Sequence, residues 1–188
     1  MLLTMKDNKA NTNPLVYLMW IAIVGIIMMF AGLSSALIVK RSQANWLSYN
    51  IPLAFYYSTA LILISSGAIY IAKRAFLERQ RSKYTLWLAV TTILGLGFVA
   101  LQYLGFVQLW DQGITLSRNV SFSFLYILVG LHAIHVLGGI IALIVLLIQS
   151  LSRTRRIYSP VSISLMSTYW HFVDILWLYL LVFLVLEA

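Results

Sequence analysis

The sequence has 188 residues, of which 62% are hydrophobic and 10% charged, and its mean hydropathy is +0.92. Soluble globular chains are about 45–50% apolar, so this composition excludes a soluble domain and indicates a membrane protein. The sequence has no cysteine, which excludes disulfides, iron–sulfur clusters and thiolate metal sites. The net charge of +8 comes from basic residues in short loops, which is typical of membrane topology and gives nucleic acid no role as a partner.

Five apolar runs are each long enough to cross a bilayer as a helix, which takes about 20 residues. Helices are predicted because a lone strand would leave its backbone groups unpaired in lipid. The predicted fold is therefore an all-α membrane protein with one five-helix transmembrane domain, residues 15–188, behind a polar tail, residues 1–14. The predicted helices span residues 15–39, 51–72, 85–107, 122–148 and 164–186.

The distribution of Lys and Arg predicts the orientation of the bundle. The tail and the second and fourth loops carry ten basic residues: Lys6, Lys9, Lys73, Arg74, Arg79, Arg81, Lys83, Arg153, Arg155 and Arg156. The opposite side carries only Lys40, Arg41 and Arg118. The positive-inside rule therefore places the N-terminus, and with it the tail, in the cytoplasm and the C-terminus outside.

Two groups of residues are predicted to meet the inner membrane surface. The loop KRAFLERQRSK is predicted to anchor the topology and to contact lipid headgroups through Arg74, Arg79 and Arg81. Trp87 and Trp170 are predicted to lie at the membrane interface, where indole rings are enriched.

Four glycines are predicted to be positions of close helix packing. Gly95 and Gly97 lie in the third helix, and Gly138 and Gly139 lie in the fourth. Small residues let helix backbones approach each other closely within a membrane.

The chemistry of the membrane domain is concentrated in the fourth and fifth helices, which hold His132, His135, His171 and Asp174. Ionisable groups at this depth are costly and tend to face the bundle interior with partners. Each helix carries its pair at a spacing of three residues, which places the pair on one face. Because consecutive helices run antiparallel, the depths permit two pairings, His135 with His171 and His132 with Asp174.

Three interpretations of this group are open. Histidine is the commonest metal ligand, so the three histidines and the carboxylate suggest a metal or haem site. The same residues suggest a proton path, although a single carboxylate makes a short relay. We favour a buried polar network that joins the two helices and has a structural role. On that interpretation, replacing Asp174 with Leu destabilises the fold or its complex.

Four segments of the sequence resemble subunit III of the haem-copper oxidases, the cytochrome c oxidase family. STYWHFVDILWLYLLVFLV resembles that family's last helix, and LVGLHAIHVLGGIIALIVLL resembles the helix before it, with its His-x-x-His and Val-Leu-Gly-Gly. LGLGFVALQYLGF resembles a Gly-rich run that leads to a glutamine, and STALILISSGAIYIA resembles a helix with a paired serine. The likeness is most specific between Ser121 and Leu186.

The resemblance implies a short bacterial form with five helices, which lacks the first two of the seven in long members. It implies a subunit of the bacterial inner membrane with no catalytic residue, cofactor or metal of its own. Such a subunit packs on subunit I, binds phospholipid and supports O₂ reduction coupled to proton translocation. In that family, haem and copper belong to subunits I and II. A small subunit IV and a larger respiratory supercomplex are further possible partners.

The sequence departs from the family pattern in two carboxylates. The first helix has no acidic residue, and Gly105 stands where many members carry a glutamate shortly after the glutamine, here Gln102. Roles tied to those carboxylates are not expected here.

Three other functions are also considered. The first is the related accessory subunit of a nitric oxide reductase. The second is an independent haem- or metal-binding membrane protein that uses His132, His135 and His171. The third is a transporter, which the lack of inverted repeats disfavours.

Overall fold

The computed structural model describes residues 13–41, 51–114, 120–152 and 160–187. These form five helices: α1 (Pro14–Arg41), α2 (Leu53–Leu77), α3 (Arg81–Asp111), α4 (Val120–Leu151) and α5 (Pro160–Glu187). All five are long and apolar enough to cross a membrane. The prediction of an all-α bundle of five membrane-spanning helices is confirmed. The predicted polar tail lies outside the described residues except for Asn13 and Pro14, and Pro14 begins α1.

Each helix is longer than its predicted span. At the start of α1, the side-chain oxygen of Asn13 accepts a hydrogen bond from the Leu15 amide at 3.2 Å, and Pro14 occupies the first helical position, where its missing amide proton costs nothing. The ends of α3 extend beyond the apolar run to the polar residues Arg81 and Asp111. Hydrophobicity marks only the part of a helix that meets hydrocarbon, so it cannot locate ends that lie in the interface.

The same backbone turn ends α2 and α3. At the end of α2, Gln80 donates to the Ala75 carbonyl, and Arg79 adopts a positive φ of 57°. At the end of α3, Ile114 donates to the Leu109 carbonyl, and Gly113 adopts a φ of 75°. In this turn a left-handed residue lets the next amides satisfy the last helical carbonyls. Glycine fits that conformation without strain, whereas Arg79 adopts it at a cost of about 1–2 kcal/mol.

Arg81 ties the turn between α2 and α3 to the end of α4. Its Nη2 donates to the carbonyl oxygens of Ser150 at 2.8 Å and Ser152 at 3.1 Å, and its Nε donates to Ser150 at 3.2 Å. The last four carbonyls of a helix lack partners within that helix. Arg81 therefore supplies donors to the C-terminal end of α4 and fixes the relative depth of three helices.

Four helices form a ring in which α3 lies between α2 and α4, and α5 closes the ring between α4 and α2. The contact between α2 and α3 is the most extensive of these. Within the described ranges, α1 packs only on α4 and α5. It leaves most of its apolar side chains exposed, among them Ile21 and Met28. Buried polar residues occur on all four helices of the ring, among them Ser58 and Ser65 of α2, Gln102 of α3, His132 of α4 and Asp174 of α5.

The indole of Trp170, which is 1% exposed, is the side chain around which three helices pack. A Cβ atom added to Gly95 of α3 would lie 2.9 Å from Trp170 Cη2, and one added to Gly139 of α4 would lie 3.0 Å from Cζ3. A Cβ atom added to Gly97 would lie 3.3 Å from Leu61 Cδ1 of α2. A Cβ atom added to Gly138 has no described atom within 4 Å, so close packing at that glycine stays a prediction.

The Gly139→Val variant should lower the melting temperature of the purified chain, because its side chain would enter space held by the buried Trp170 ring. Overpacking of this kind costs typically about 1–3 kcal/mol. The matched control is Gly138→Val, the same change at the neighbouring position that faces open space. Equal melting temperatures for the two variants would contradict this packing arrangement.

Candidate functional site

The polar residues of α2 form a stripe along one side of the helix. Ser58, Thr59, Ser65 and Ser66 are two adjacent pairs separated by seven residues, which is close to two helical turns. Ser58 and Ser65 are buried, and Thr59 and Ser66 are half-buried. This stripe faces α5, and we call the contact between the two helices the α2–α5 seam.

Three side chains of α5 bond to the stripe. Trp170 Nε1 donates to Ser65 Oγ at 3.1 Å, and Trp177 Nε1 donates to Thr59 Oγ1 at 2.8 Å. His171 Nδ1 is hydrogen-bonded to the Ser66 hydroxyl at 2.6 Å. The two tryptophans are themselves seven residues apart, so antiparallel packing brings each indole opposite one hydroxyl pair. Both indole N–H groups, which would be unpaired in hydrocarbon, are satisfied across the seam.

The stripe also joins α2 to α3. Gln102 Nε2 donates to Ser58 Oγ at 2.9 Å, and the Ser65 hydroxyl donates to the Thr91 carbonyl at 3.3 Å. Gln102 is 2% exposed, and its Oε1 atom has no hydrogen-bond partner among the described residues. The α2 hydroxyls thus hold α3 and α5 on either side of one helix.

His132 is fully buried inside the ring. Its ring stacks on Trp177 with centroids 5.2 Å apart and meets the edge of Phe98 at 6.0 Å. Neither ring nitrogen forms a hydrogen bond with a described residue. Aromatic contacts therefore hold this histidine in place.

His135 faces a different neighbour. Its ring meets Phe30 of α1 edge to face at 5.8 Å, and its Nδ1 donates to the Leu131 carbonyl at 2.7 Å. The Tyr169 hydroxyl donates to the carbonyl of His135 at 3.0 Å. This hydrogen bond joins α4 to α5.

Asp174 is 3% exposed and lies near the Ser66 hydroxyl. Neither of its carboxyl oxygens has a hydrogen bond of ordinary geometry within the described ranges. The structure therefore forms neither of the two pairings that the depths permitted. His171 turns to Ser66 instead of His135, and His132 turns to Trp177 instead of Asp174. The depths alone could not reveal that α2 supplies the partners of α5.

The three histidines do not converge. His132 lies among aromatic rings, His135 lies against α1 and His171 lies against α2. In the part of the chain that the structure describes, no group of three or more His, Cys, Asp or Glu side chains could hold a metal ion. The geometry gives no support to the metal or haem interpretation of these residues.

The residues predicted to meet the membrane surface have different surroundings. Trp170 is buried at the α2–α5 seam, so its prediction as an interface residue is wrong. Trp87 is half-buried, and Arg79 is exposed. Arg74 is exposed and pairs with Glu78 of its own helix, with Nε 2.8 Å from Oε1. Contact of the arginines with lipid headgroups stays a prediction.

The sequence did not lead us to predict that α2 supplies the hydrogen-bond partners of α5. It singled out Ser65 and Ser66 only through a family resemblance, and it assigned no partner to Thr59, Ser58 or Trp177. The spacing could have indicated the contact between α2 and α5. Hydroxyl pairs seven residues apart on one helix match two tryptophans seven residues apart on another.

These features define a class of protein: an integral membrane helix bundle in which buried indole and hydroxyl groups join the helices. The chain matches the family "Cytochrome c oxidase subunit III" over residues 9–187. It is 31% identical over 177 residues to "Probable cytochrome c oxidase subunit 3" of Nocardia farcinica (strain IFM 10152), covering 91% of this chain and 86% of the relative. The chain therefore belongs to the subunit III family of haem-copper oxidases.

Two further relatives carry names that differ in the electron donor. "Cytochrome c oxidase subunit 3" of Bacillus sp. (strain PS3) is 27% identical over 166 residues, covering 86% of this chain and 80% of the relative. "Probable quinol oxidase subunit 3" of Staphylococcus saprophyticus is 26% identical over 181 residues, covering 93% of this chain and 89% of the relative. Relatives of both kinds thus align with nearly the whole chain.

A double-mutant cycle of Trp177→Phe and Thr59→Val should give a coupling free energy of about 0.6 kcal/mol and at most about 1.7 kcal/mol, the range for hydrogen bonds between membrane helices. The measurement is the free energy of unfolding in detergent micelles. Thr168→Val is the matched control, because Thr168 and Thr59 both donate to a carbonyl of their own helix, and only Thr59 also accepts an indole N–H. Coupling as large in the control cycle would refute the role of the seam.

Proposed function

We propose that this chain is the non-catalytic subunit III of a bacterial respiratory oxidase of the cytochrome c oxidase type. It packs on subunit I, binds lipid and supports O₂ reduction coupled to proton translocation. The observation that carries this proposal is the match to the subunit III family over residues 9–187. The indole–hydroxyl hydrogen bonds of the α2–α5 seam agree with it, since they give buried polar groups a packing role. In the proposed complex, subunits I and II hold the haem and copper and carry out the redox chemistry.

The proposed orientation places the turn between α2 and α3 in the cytoplasm. Arg74, Arg79 and Arg81 lie at this end of the bundle, and the positive-inside rule assigns such an end to the cytoplasm. Arg81 also reaches the C-terminal end of α4, so that end lies on the same side. The chain is then a multi-pass protein of the inner membrane with its C-terminus outside.

A groove between α1, α4 and α5 is the proposed position of a bound phospholipid. It has a volume of about 660 Å³ and runs along α4 from Gly138 to Gln149. Its walls are mostly apolar, with Ala142, Val145 and Met166 among them, whereas Gln149 lies near the cytoplasmic end. An apolar channel with a polar end matches an acyl chain and its headgroup.

The test is an affinity purification of the tagged chain from its native membranes in mild detergent, with an untagged strain as control. The preparation is examined by optical spectroscopy, by O₂ consumption with reduced cytochrome c or quinol, and by identification of its subunits. We expect haem-bearing partners that consume O₂, and the donor that sustains this consumption, reduced cytochrome c or quinol, identifies the type of oxidase.

Two results would contradict this proposal. A lone chain with its own Soret band, lost in the His132→Leu or His171→Leu variant, would make it an independent haem protein. Partners that reduce nitric oxide and not O₂ would make it the accessory subunit of a nitric oxide reductase.

A further inference from the structure

The outer edge of the α2–α5 seam carries polar groups where the surrounding surface is apolar. Ser66, Lys73 and His171 are all half-buried, and we call these three residues the outer seam. Lys73 follows Ser66 by seven residues on α2, close to two helical turns, so both lie on the same side of that helix. Large exposed apolar side chains flank the outer seam on both helices, with Leu63 on α2 and Ile175 on α5.

Several polar groups of the outer seam have no hydrogen-bond or ion-pair partner among the described residues. The Ser66 hydroxyl occupies Nδ1 of His171, and Nε2 forms no hydrogen bond with a described residue. Lys73 forms no ion pair with a described side chain. Asp174, beneath the outer seam and beside Ser66, has no partner of ordinary geometry for either oxygen in the described ranges.

The depth of His171 distinguishes a protein partner from a lipid headgroup. His171 lies about 16 Å along α5 from Pro160, at about 1.5 Å per residue. A phosphate stays at the membrane surface, and acyl chains offer His171 no hydrogen bond. A half-exposed imidazole in hydrocarbon is costly, so such groups face protein or water-filled space.

We infer that the outer seam docks a transmembrane helix of a partner subunit, which presents a hydrogen-bonding polar side chain to Nε2 of His171 and an acidic side chain near Lys73. The inference rests on the proposed function, since it assigns the surface through which the chain joins its complex. Gly67 lies next to Ser66 on the exposed side of α2, with no neighbouring atom within 4 Å of an added Cβ. A small residue there lets a partner helix approach the polar groups closely.

The first experiment is photo-crosslinking in the complex purified from native membranes. A photoactivatable phenylalanine analogue replaces Leu63 or Ile175 beside the outer seam. Matched controls place it at Ile93 of α3 or Ile134 of α4, which are similarly exposed apolar positions on other faces. We expect crosslinks to a partner subunit from Leu63 and Ile175 and none from the two controls.

A second experiment avoids the bulky probe. The His171→Leu variant should lose partner subunits during detergent washing roughly three- to tenfold more readily than wild type, the equivalent of one hydrogen bond between membrane helices. Thr168→Val serves as control, because its hydroxyl bonds only within α5. Ser66→Ala removes the same bond within the chain but keeps the imidazole, so it separates lost docking from lost folding. Greater loss of partner subunits from His171→Leu than from Ser66→Ala supports docking, and equal loss contradicts it.

The outcomes separate this inference from the proposed function. Oxidase subunits that co-purify but crosslink only from Ile93 or Ile134, or that are retained equally by His171→Leu, would overturn the docking surface alone. Recovery of the chain without any oxidase subunit would overturn both. Crosslinks from Leu63 and Ile175 to lipid alone would also reject the protein partner.

Discussion

The hydrogen bonds from the α5 indoles to the α2 hydroxyls set the arrangement on which the rest of the bundle depends. Lipid is as apolar as the helix surfaces, so burial alone does not select which face of a membrane helix turns inward. Two indole N–H groups with matching hydroxyls make that choice, because any other rotation of α5 leaves them unpaired in hydrocarbon. Once Trp170 bonds to Ser65, its ring lies between Gly95 and Gly139, and α3 and α4 pack against it.

The number and type of helices could be predicted from the sequence, whereas the contacts between them could not. A long apolar run in lipid has one conformation available, so five runs gave five helices. Residues spaced by three share a broad face but point about 60° apart, and a helix that is apolar all round gives no sign of which neighbour each residue meets. His132 and His135 accordingly face Trp177 and Phe30. Trp170 was predicted to lie at the membrane interface because it is an indole near the start of a helix. The sequence does not show whether such an indole faces lipid or a hydroxyl of another helix.

Side-chain packing in this chain explains one departure from the family pattern. Gly105 stands where the resemblance leads one to expect a glutamate, and the Phe55 ring of α2 packs directly on it, with Cδ1 2.8 Å from the position of an added Cβ. Phe55 in turn meets Trp177 edge to face at 6.0 Å. The space of an acidic side chain is thus filled by aromatic packing that continues the α2–α5 seam, and a proton or lipid role at this position has no group to perform it.

The seam therefore has two sides with different uses: indoles and hydroxyls on the inner side fix the fold, and the outer seam is left for a partner. A cryo-electron microscopy map of the complex purified through this chain tests both claims most directly. The account predicts a partner helix against Ser66, Lys73 and His171, with haem density only in other subunits. Lipid along that face, or haem density ligated by His132, His135 or His171, would contradict it.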